Sequence, residues 1–116
     1  MVDDEPDVSL LFRNYLESSG YRVNVYNHPL KALSEFRSGH YDLALLDVRM
    51  PHMTGFELYQ RLHMIDNACK VCFMTAFETY YRTLKEFFPN LDATCFIRKP
   101  VSKEKLLYYV VAKLDS

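Results

Sequence analysis

The sequence predicts an α/β domain built as five β-α units, (βα)5, with a doubly wound parallel sheet covered by helices. Three observations predict it. Short strand-like runs alternate with helical periods along the whole chain. Several of those runs are apolar on both sides, as inner strands of a helix-covered parallel sheet must be. The chain has 116 residues, 49 % apolar and 15 % aromatic, enough for one domain with a core that needs no staples.

The elements follow in order. A first, central strand of about five residues should precede Asp3, yet only Met1 and Val2 stand there, so this strand is expected to be cut short by a truncated start. Pro6 suits a first helical turn, and Val8, Leu11, Phe12, Tyr15 and Leu16 follow at helical spacing up to Gly20. Residues 21–26 alternate, with Tyr21, Val23 and Val25 on one side and Arg22 and Asn24 on the other, which predicts an edge strand. Pro29 opens a second helix, with Leu30, Leu33 and Phe36 inward and Gly39 as its stop. Residues 43–46 (LALL) form an inner strand. Thr54-Gly-Phe-Glu57 is a capping box for a third helix, carried on by Leu58, Leu62 and Ile65. Residues 71–74 are a second inner strand. Tyr80 or Tyr81, Leu84, Phe87 and Phe88 predict a fourth helix, ended by Pro89-Asn90. Residues 93–97 make the last strand. Ser102 then caps a fifth helix with Leu106, Leu107, Val110, Val111 and Leu114 inward. No internal repeat, low-complexity tract or linker interrupts the pattern.

Composition removes several classes of function. The net charge of −1 leaves no electrostatic footprint for nucleic acid, so any DNA contact would come from another domain or partner. No apolar run approaches the ~20 residues of a membrane span, and no secretory pattern opens the chain. Cys69 and Cys72 have CxxC spacing, but residues three apart on a strand face opposite ways, and no second CxxC or His pair completes a metal site. They are expected to be plain thiols in a reducing cytoplasm. His28, His40, His52 and His63 show no ligand spacing.

The chemistry concentrates in "LALLDVRMPHMTG", residues 43–55, where an aspartate ends the most hydrophobic run. A carboxylate is costly to desolvate, and in an open α/β sheet sites form outside the carboxyl ends of the strands. On that rule Asp3 and Asp4 leave strand one, Asp47 ends strand three, Thr75 ends strand four and Lys99 follows strand five. Each alone has a plain reading: a turn aspartate, an acidic helix start, a capping hydroxyl, a solvated lysine. Together they converge on one rim. Three close carboxylates repel unless a cation joins them, and an all-oxygen cluster suits Mg²⁺. Lys99 and Thr75 could then meet phosphate oxygens, which is a kit for phosphoryl transfer onto an aspartate.

"VDDE", "LLDVRMPHMTG", "MTA" and "FIRKP" resemble, in order and spacing over the whole chain, the fingerprints of the response-regulator receiver domain of two-component signalling. The resemblance implies a flavodoxin-like sheet with strand order 2-1-3-4-5, residues 1–116 being one such domain. It implies that Asp47 accepts a phosphoryl group from a phosphohistidine of a sensor histidine kinase or phosphotransfer protein. It further implies that Asp4, Asp47 and the Arg49 backbone carbonyl ligate Mg²⁺ with Asp3 assisting through water, and that Lys99 and Thr75 bind phosphoryl oxygens. Phe96 matches the switch aromatic, and the Lys99–Pro100 bond would be cis. The output face would be formed by helix four, strand five and helix five, open to an output partner or to homodimerisation, where one member of each pair Tyr80-Tyr81 and Tyr108-Tyr109 must face outward.

Some positions depart from the family pattern. Phe96 lacks a hydroxyl, so switching would work by packing. The stretch from Thr75 to Lys99 carries a Pro89-Asn90-Leu91 insert, so the fourth helix is expected to be short or shifted. Arg49 and Phe77, each two residues past a site residue, are expected to shield the acyl phosphate from water. Two rival readings fit less well. An aspartate-nucleophile phosphohydrolase of the haloacid dehalogenase type wants a carboxylate where Arg49 stands, so a switch and not a metabolic enzyme is expected. A cofactor-holding flavodoxin-like module wants a glycine-rich phosphate loop, and the chain has only Gly20, Gly39 and Gly55. A receiver-shaped domain that signals without phosphate would lack a site residue, and none is missing.

Overall fold

A computed structural model describes residues 1–76, 82, 86 and 96–115 of the chain. Its elements are α1 (Pro6–Glu17), α2 (Pro29–Glu35), β1 (Leu43–Asp47), α3 (Gly55–Ile65), β2 (Lys70–Thr75), β3 (Phe96–Arg98) and α4 (Lys103–Leu114). The fifth predicted helix is therefore α4. The predicted fourth helix, its Pro89-Asn90-Leu91 insert and Phe77 lie outside the described residues.

The three strands form a parallel sheet in the order β1-β2-β3, with Leu45 opposite Cys72 and Met74 opposite Ile97. Val2 bridges in parallel to Tyr26 on one side and to Leu46 on the other. The order Tyr26, Val2, β1, β2, β3 is the expected 2-1-3-4-5 as far as the described residues carry it. The rows of Tyr26 and Val2 carry isolated bridges alone, so residues 21–26 do not form the predicted edge strand. Tyr26 N–H donates to Met1 O at 2.9 Å and Asp3 N–H to Tyr26 O at 3.0 Å. The alternation survives, with Tyr21, Val23 and Val25 half-buried and Arg22 and Asn24 exposed.

Two apolar clusters lie on the two sheet faces. Ala44, Leu46, Val71 and Phe73 enter one, while Leu45, Cys72, Met74 and Ile97 enter the other. Both faces of β1 and β2 are thus covered, as their two-sided apolar sequences require. Cys69 and Cys72 fall into different clusters, and burial pushes the Cys69 thiol up to about 11. The two thiols are not joined to each other.

The helices bury a narrower stripe than the spacing predicts. Phe12 and Leu16, Ala32 and Phe36, Leu58 and Leu62, and Leu106 and Val110 are buried, each pair four residues apart. Leu11, Leu30, Ile65 and Val111, all predicted to face in, are 43–48 % exposed. One i, i+4 row is enough to cover the sheet, and its neighbours fall at the margin. Burying a leucine fully, as at Leu58, contributes on the order of 2 kcal/mol. α2 ends at Glu35, well before Gly39, because Phe36 turns extended to place its ring in the core. Thr54 and Ser102 cap as predicted, accepting from Glu57 N–H and Lys105 N–H at 3.2 Å.

Backbone bonds at the carboxyl ends fix where side chains emerge. Asp47 N–H donates to Val2 O at 2.9 Å, Val48 N–H to Met74 O at 2.9 Å and Lys99 N–H to Thr75 O at 2.8 Å. Gly55 N–H donates to Val48 O at 2.8 Å, and a Cβ on Gly55 would overlap the Asp47 carbonyl oxygen. The first turn of α3 can sit against the end of β1 only because residue 55 has no side chain.

Candidate functional site

The carboxyl ends of Val2's row, β1, β2 and β3 open on a cleft of about 500 Å³ lined by Asp4, Glu5, Asp47, Arg49, Thr75 and Lys99. Asp47 is the last residue of β1 and Thr75 the last of β2, while Lys99 follows β3 by one residue. Asp3, Asp47, Thr75 and Lys99 are buried and Asp4 is half-buried. Lys99 Nζ lies 3.1 Å from Asp3 Oδ2, 3.6 Å from Asp47 Oδ2 and 3.7 Å from Glu5 Oε1. One ammonium is thus shared among three carboxylates. The Lys99–Pro100 peptide is cis.

The acidic side of the cleft is built from the start of the chain. Asp3 Oδ1 accepts from Glu5 N–H at 2.9 Å, which turns the backbone into α1. Asn27 Nδ2 donates to Asp3 O at 2.7 Å and to Ser9 Oγ at 3.0 Å, tying that turn to the chain after Tyr26. Ser9 in turn donates to Pro6 O at 3.0 Å. A buried serine on the inner face of α1 is tolerated because its hydroxyl is satisfied in both directions.

Electrostatics follow from this crowding. The carboxylate oxygens of Asp3, Asp4, Glu5 and Asp47 can all lie within 4.8 Å of one another. Burial, joined by repulsion from Asp3 and Asp4, pushes the Asp47 carboxyl up to about 7, and attraction to Lys99 only partly offsets this. Burial acts against the Lys99 charge, yet Asp47, Asp3 and Glu5 outweigh it and hold its ammonium above the usual lysine value. Four carboxylates against one lysine leave an excess of negative charge on an all-oxygen donor set. Such a set fits a hard divalent cation such as Mg²⁺ and offers nothing to a soft metal.

The structure brings Asp3, Asp4, Asp47, Thr75 and Lys99 together as the sequence predicts. Phe96 stands apart from the cleft, paired in register with Phe73 and buried in the core. Glu5, Ser9 and Asn27 are additions. Glu5 reads in sequence as a dipole-favoured helix start, and only the run of three acids signals otherwise. Ser9 and Asn27 carry no signal that separates them from surface polar residues.

Comparison with known proteins gives a consistent result. The family model described as the response regulator receiver domain matches residues 1–111. The transcriptional regulatory protein RprY of Bacteroides fragilis is 31 % identical over 114 residues, covering 98 % of this chain and 48 % of that protein. SpaR of Bacillus subtilis, also a transcriptional regulatory protein, is 33 % identical over 113 residues, covering 97 % and 50 %. The chain therefore spans about half the length of these curated relatives. A CheY-like response regulator receiver domain protein from Methanospirillum hungatei superposes with a TM-score of 0.81 at 27 % identity, covering 98 % of this chain and 90 % of that one. The HemR receiver domain of Leptospira biflexa, at 23 % identity and a TM-score of 0.82 over 99 % and 91 % of the two chains, shares the fold.

Proposed function

The chain belongs to the response regulator receiver family of two-component signalling, and from that premise we propose that Asp47 is its phosphoacceptor. The donor is the phosphohistidine of a cytoplasmic sensor histidine kinase or phosphotransfer protein. One observation carries the assignment: Asp47 ends a buried strand with the Lys99 ammonium 3.6 Å from its carboxylate, inside a cleft that Thr75 also lines.

The chemistry asked of these residues is modest. An Asp47 carboxylate oxygen attacks phosphorus in line, the P–N bond breaks, and its electron pair stays on the imidazole, which leaves as neutral histidine once protonated. Lys99 already holds its charge against Asp3 and Asp47, so it can meet a phosphoryl oxygen without reorganisation. The Thr75 hydroxyl donates to a second phosphoryl oxygen. Asp4, Asp47 and the Arg49 carbonyl would hold Mg²⁺, with Asp3 assisting through water. Bound there, the ion supplies positive charge that lets an anionic donor approach a carboxylate cluster. Arg49, exposed at the mouth of the cleft, limits the access of hydrolytic water to the product.

Phosphorylation then draws Thr75 inward and lets the Phe96 ring repack, which biases the face of β3 and α4 between two states. Tyr108, 70 % exposed on α4, belongs to that face, through which an output domain, a partner or a second copy would read the switch. The protein on this reading catalyses only its own phosphorylation and slow dephosphorylation.

Intact-mass measurement after incubation with acetyl phosphate tests the chemistry. A gain of one phosphoryl group is expected with Mg²⁺, and none without it or in Asp47→Asn. An equal gain in Asp47→Asn would overturn the assignment.

A further inference from the structure

Beside the acidic cleft, the side chain of Asn27 ties the turn that carries Asp3 and Asp4 to α1. Its Nδ2 donates to Asp3 O at 2.7 Å and to Ser9 Oγ at 3.0 Å. We propose that Asn27 and Ser9 are positioning residues for Mg²⁺: their bridge holds the Asp4 carboxylate at the cleft against the repulsion of its neighbours, so that the ion meets ligands already assembled. The inference rests on the reading of Asp4 and Asp47 as the carboxylates that hold the ion.

The chemistry of the bridge fixes its direction. A backbone carbonyl oxygen can only accept, so the amide atom 2.7 Å from Asp3 O is the nitrogen and not the oxygen. The Ser9 hydroxyl has one hydrogen, which goes to a carbonyl at the start of α1, Pro6 O at 3.0 Å or Glu5 O at 3.1 Å. Its lone pairs are left to receive the second Asn27 hydrogen. Ser9 is buried, so a bond lost there is not replaced by water.

Asp4 is held from both flanks. On one side Asp3 has its N–H on Tyr26 O at 3.0 Å and its carbonyl on Asn27. The Asp3 carboxylate is fixed as well, by Glu5 N–H at 2.9 Å and Lys99 Nζ at 3.1 Å. On the other side Glu5 O accepts from Ser9 N–H at 3.1 Å. The planar peptide between Asp3 and Asp4 cannot turn without breaking the Asn27 bond. That restraint matters because carboxylate oxygens of Asp3, Asp4, Glu5 and Asp47 can all lie within 4.8 Å of one another. Asp4 is half-buried, so a freed turn would let it swing toward solvent and separate the charges. An ion would then have to draw it back, at a cost in affinity. Partners that orient metal ligands in this way typically contribute about 10- to 100-fold in metal affinity. A tie that served the fold alone would act on stability with and without the ion alike.

Calorimetric titration of Mg²⁺ into the metal-free protein separates the two. Asn27→Leu, at an exposed position, removes the donor while keeping the size, and is expected to weaken binding about tenfold or more. Ser9→Ala suits a helix and leaves Asn27 one partner. It should weaken binding about threefold or more, and it decides the matter if the leucine variant does not fold. The rise in Tm at a fixed Mg²⁺ concentration should shrink in both variants. Asp4→Asn, the control for the metal reading, should bind far more weakly than either. Parental Kd in the bridge variants, with or without a lower Tm, would mean that the bridge serves the fold alone and would overturn the inference. The loss in Asp4→Asn would then leave the metal reading standing. A parent that takes up no Mg²⁺, or an Asp4→Asn protein that binds as the parent does, would overturn both.

Discussion

Asp47 is held where its ionised form is least comfortable, buried and beside Asp3, and this has a consequence for stability. Its folded value of about 7 lies above the unfolded 3.8, so the folded state binds the proton more tightly. Its contribution therefore favours folding below about pH 4 and is lost as pH rises toward about 7. The metal-free protein should lose thermal stability between about pH 4 and about pH 7. Asp47→Asn, which cannot titrate, should flatten that slope and melt higher at neutral pH, and Mg²⁺ should recover stability in the parent alone. Thermal melts across pH check this, and a parent slope no steeper than that of Asp47→Asn would contradict it. Asp47 and Thr75 were legible in the sequence because each follows an apolar run directly, and Lys99 because it stands between the last strand-like run and Pro100, which ties each position to a strand end. Glu5 was not, since an exposed acid at a helix start has an adequate local explanation. Ser9 was not because a polar residue on an inner helical position declares its purpose only when Asn27 is seen beside it.

Among the elements, α3 is the most tightly coupled to the site. Its first residue, Gly55, packs on the Asp47 carbonyl, and the atoms a Cβ would strike are backbone and cannot swing aside. Gly55→Ala should destabilise the fold by about 1–3 kcal/mol and slow phosphorylation by displacing Asp47. Urea unfolding and phosphorylation rates read the two effects, and a variant normal in both would show that the strand end tolerates a shift. Helix starts were well legible: Pro6, Pro29, Thr54 and Ser102 mark them by rules that depend on a few adjacent residues. The inward faces were less so. Leu11, Leu30, Ile65 and Val111 satisfy helical periodicity as well as their buried neighbours do, and only the width of the sheet beneath decides which row is covered. Residues 21–26 show the converse case, correct in alternation and paired as a strand only at Tyr26.

For the whole molecule, order along the sheet converts scattered residues into one site. Parallel strands all end on the same rim, so Asp3, Asp47 and Lys99, up to 96 residues apart in sequence, meet within a few ångströms, and Thr75 lines the same cleft. That convergence is predictable from topology. The central claim is that the phosphoryl group goes to Asp47 and to no other acid of the cluster. Borohydride reduction of the phosphorylated protein converts an aspartyl phosphate to homoserine, and peptide mass mapping locates it. The account predicts homoserine at position 47 alone. Reduction at Asp3, Asp4 or Glu5, or a phosphoryl group that resists borohydride altogether, would contradict it.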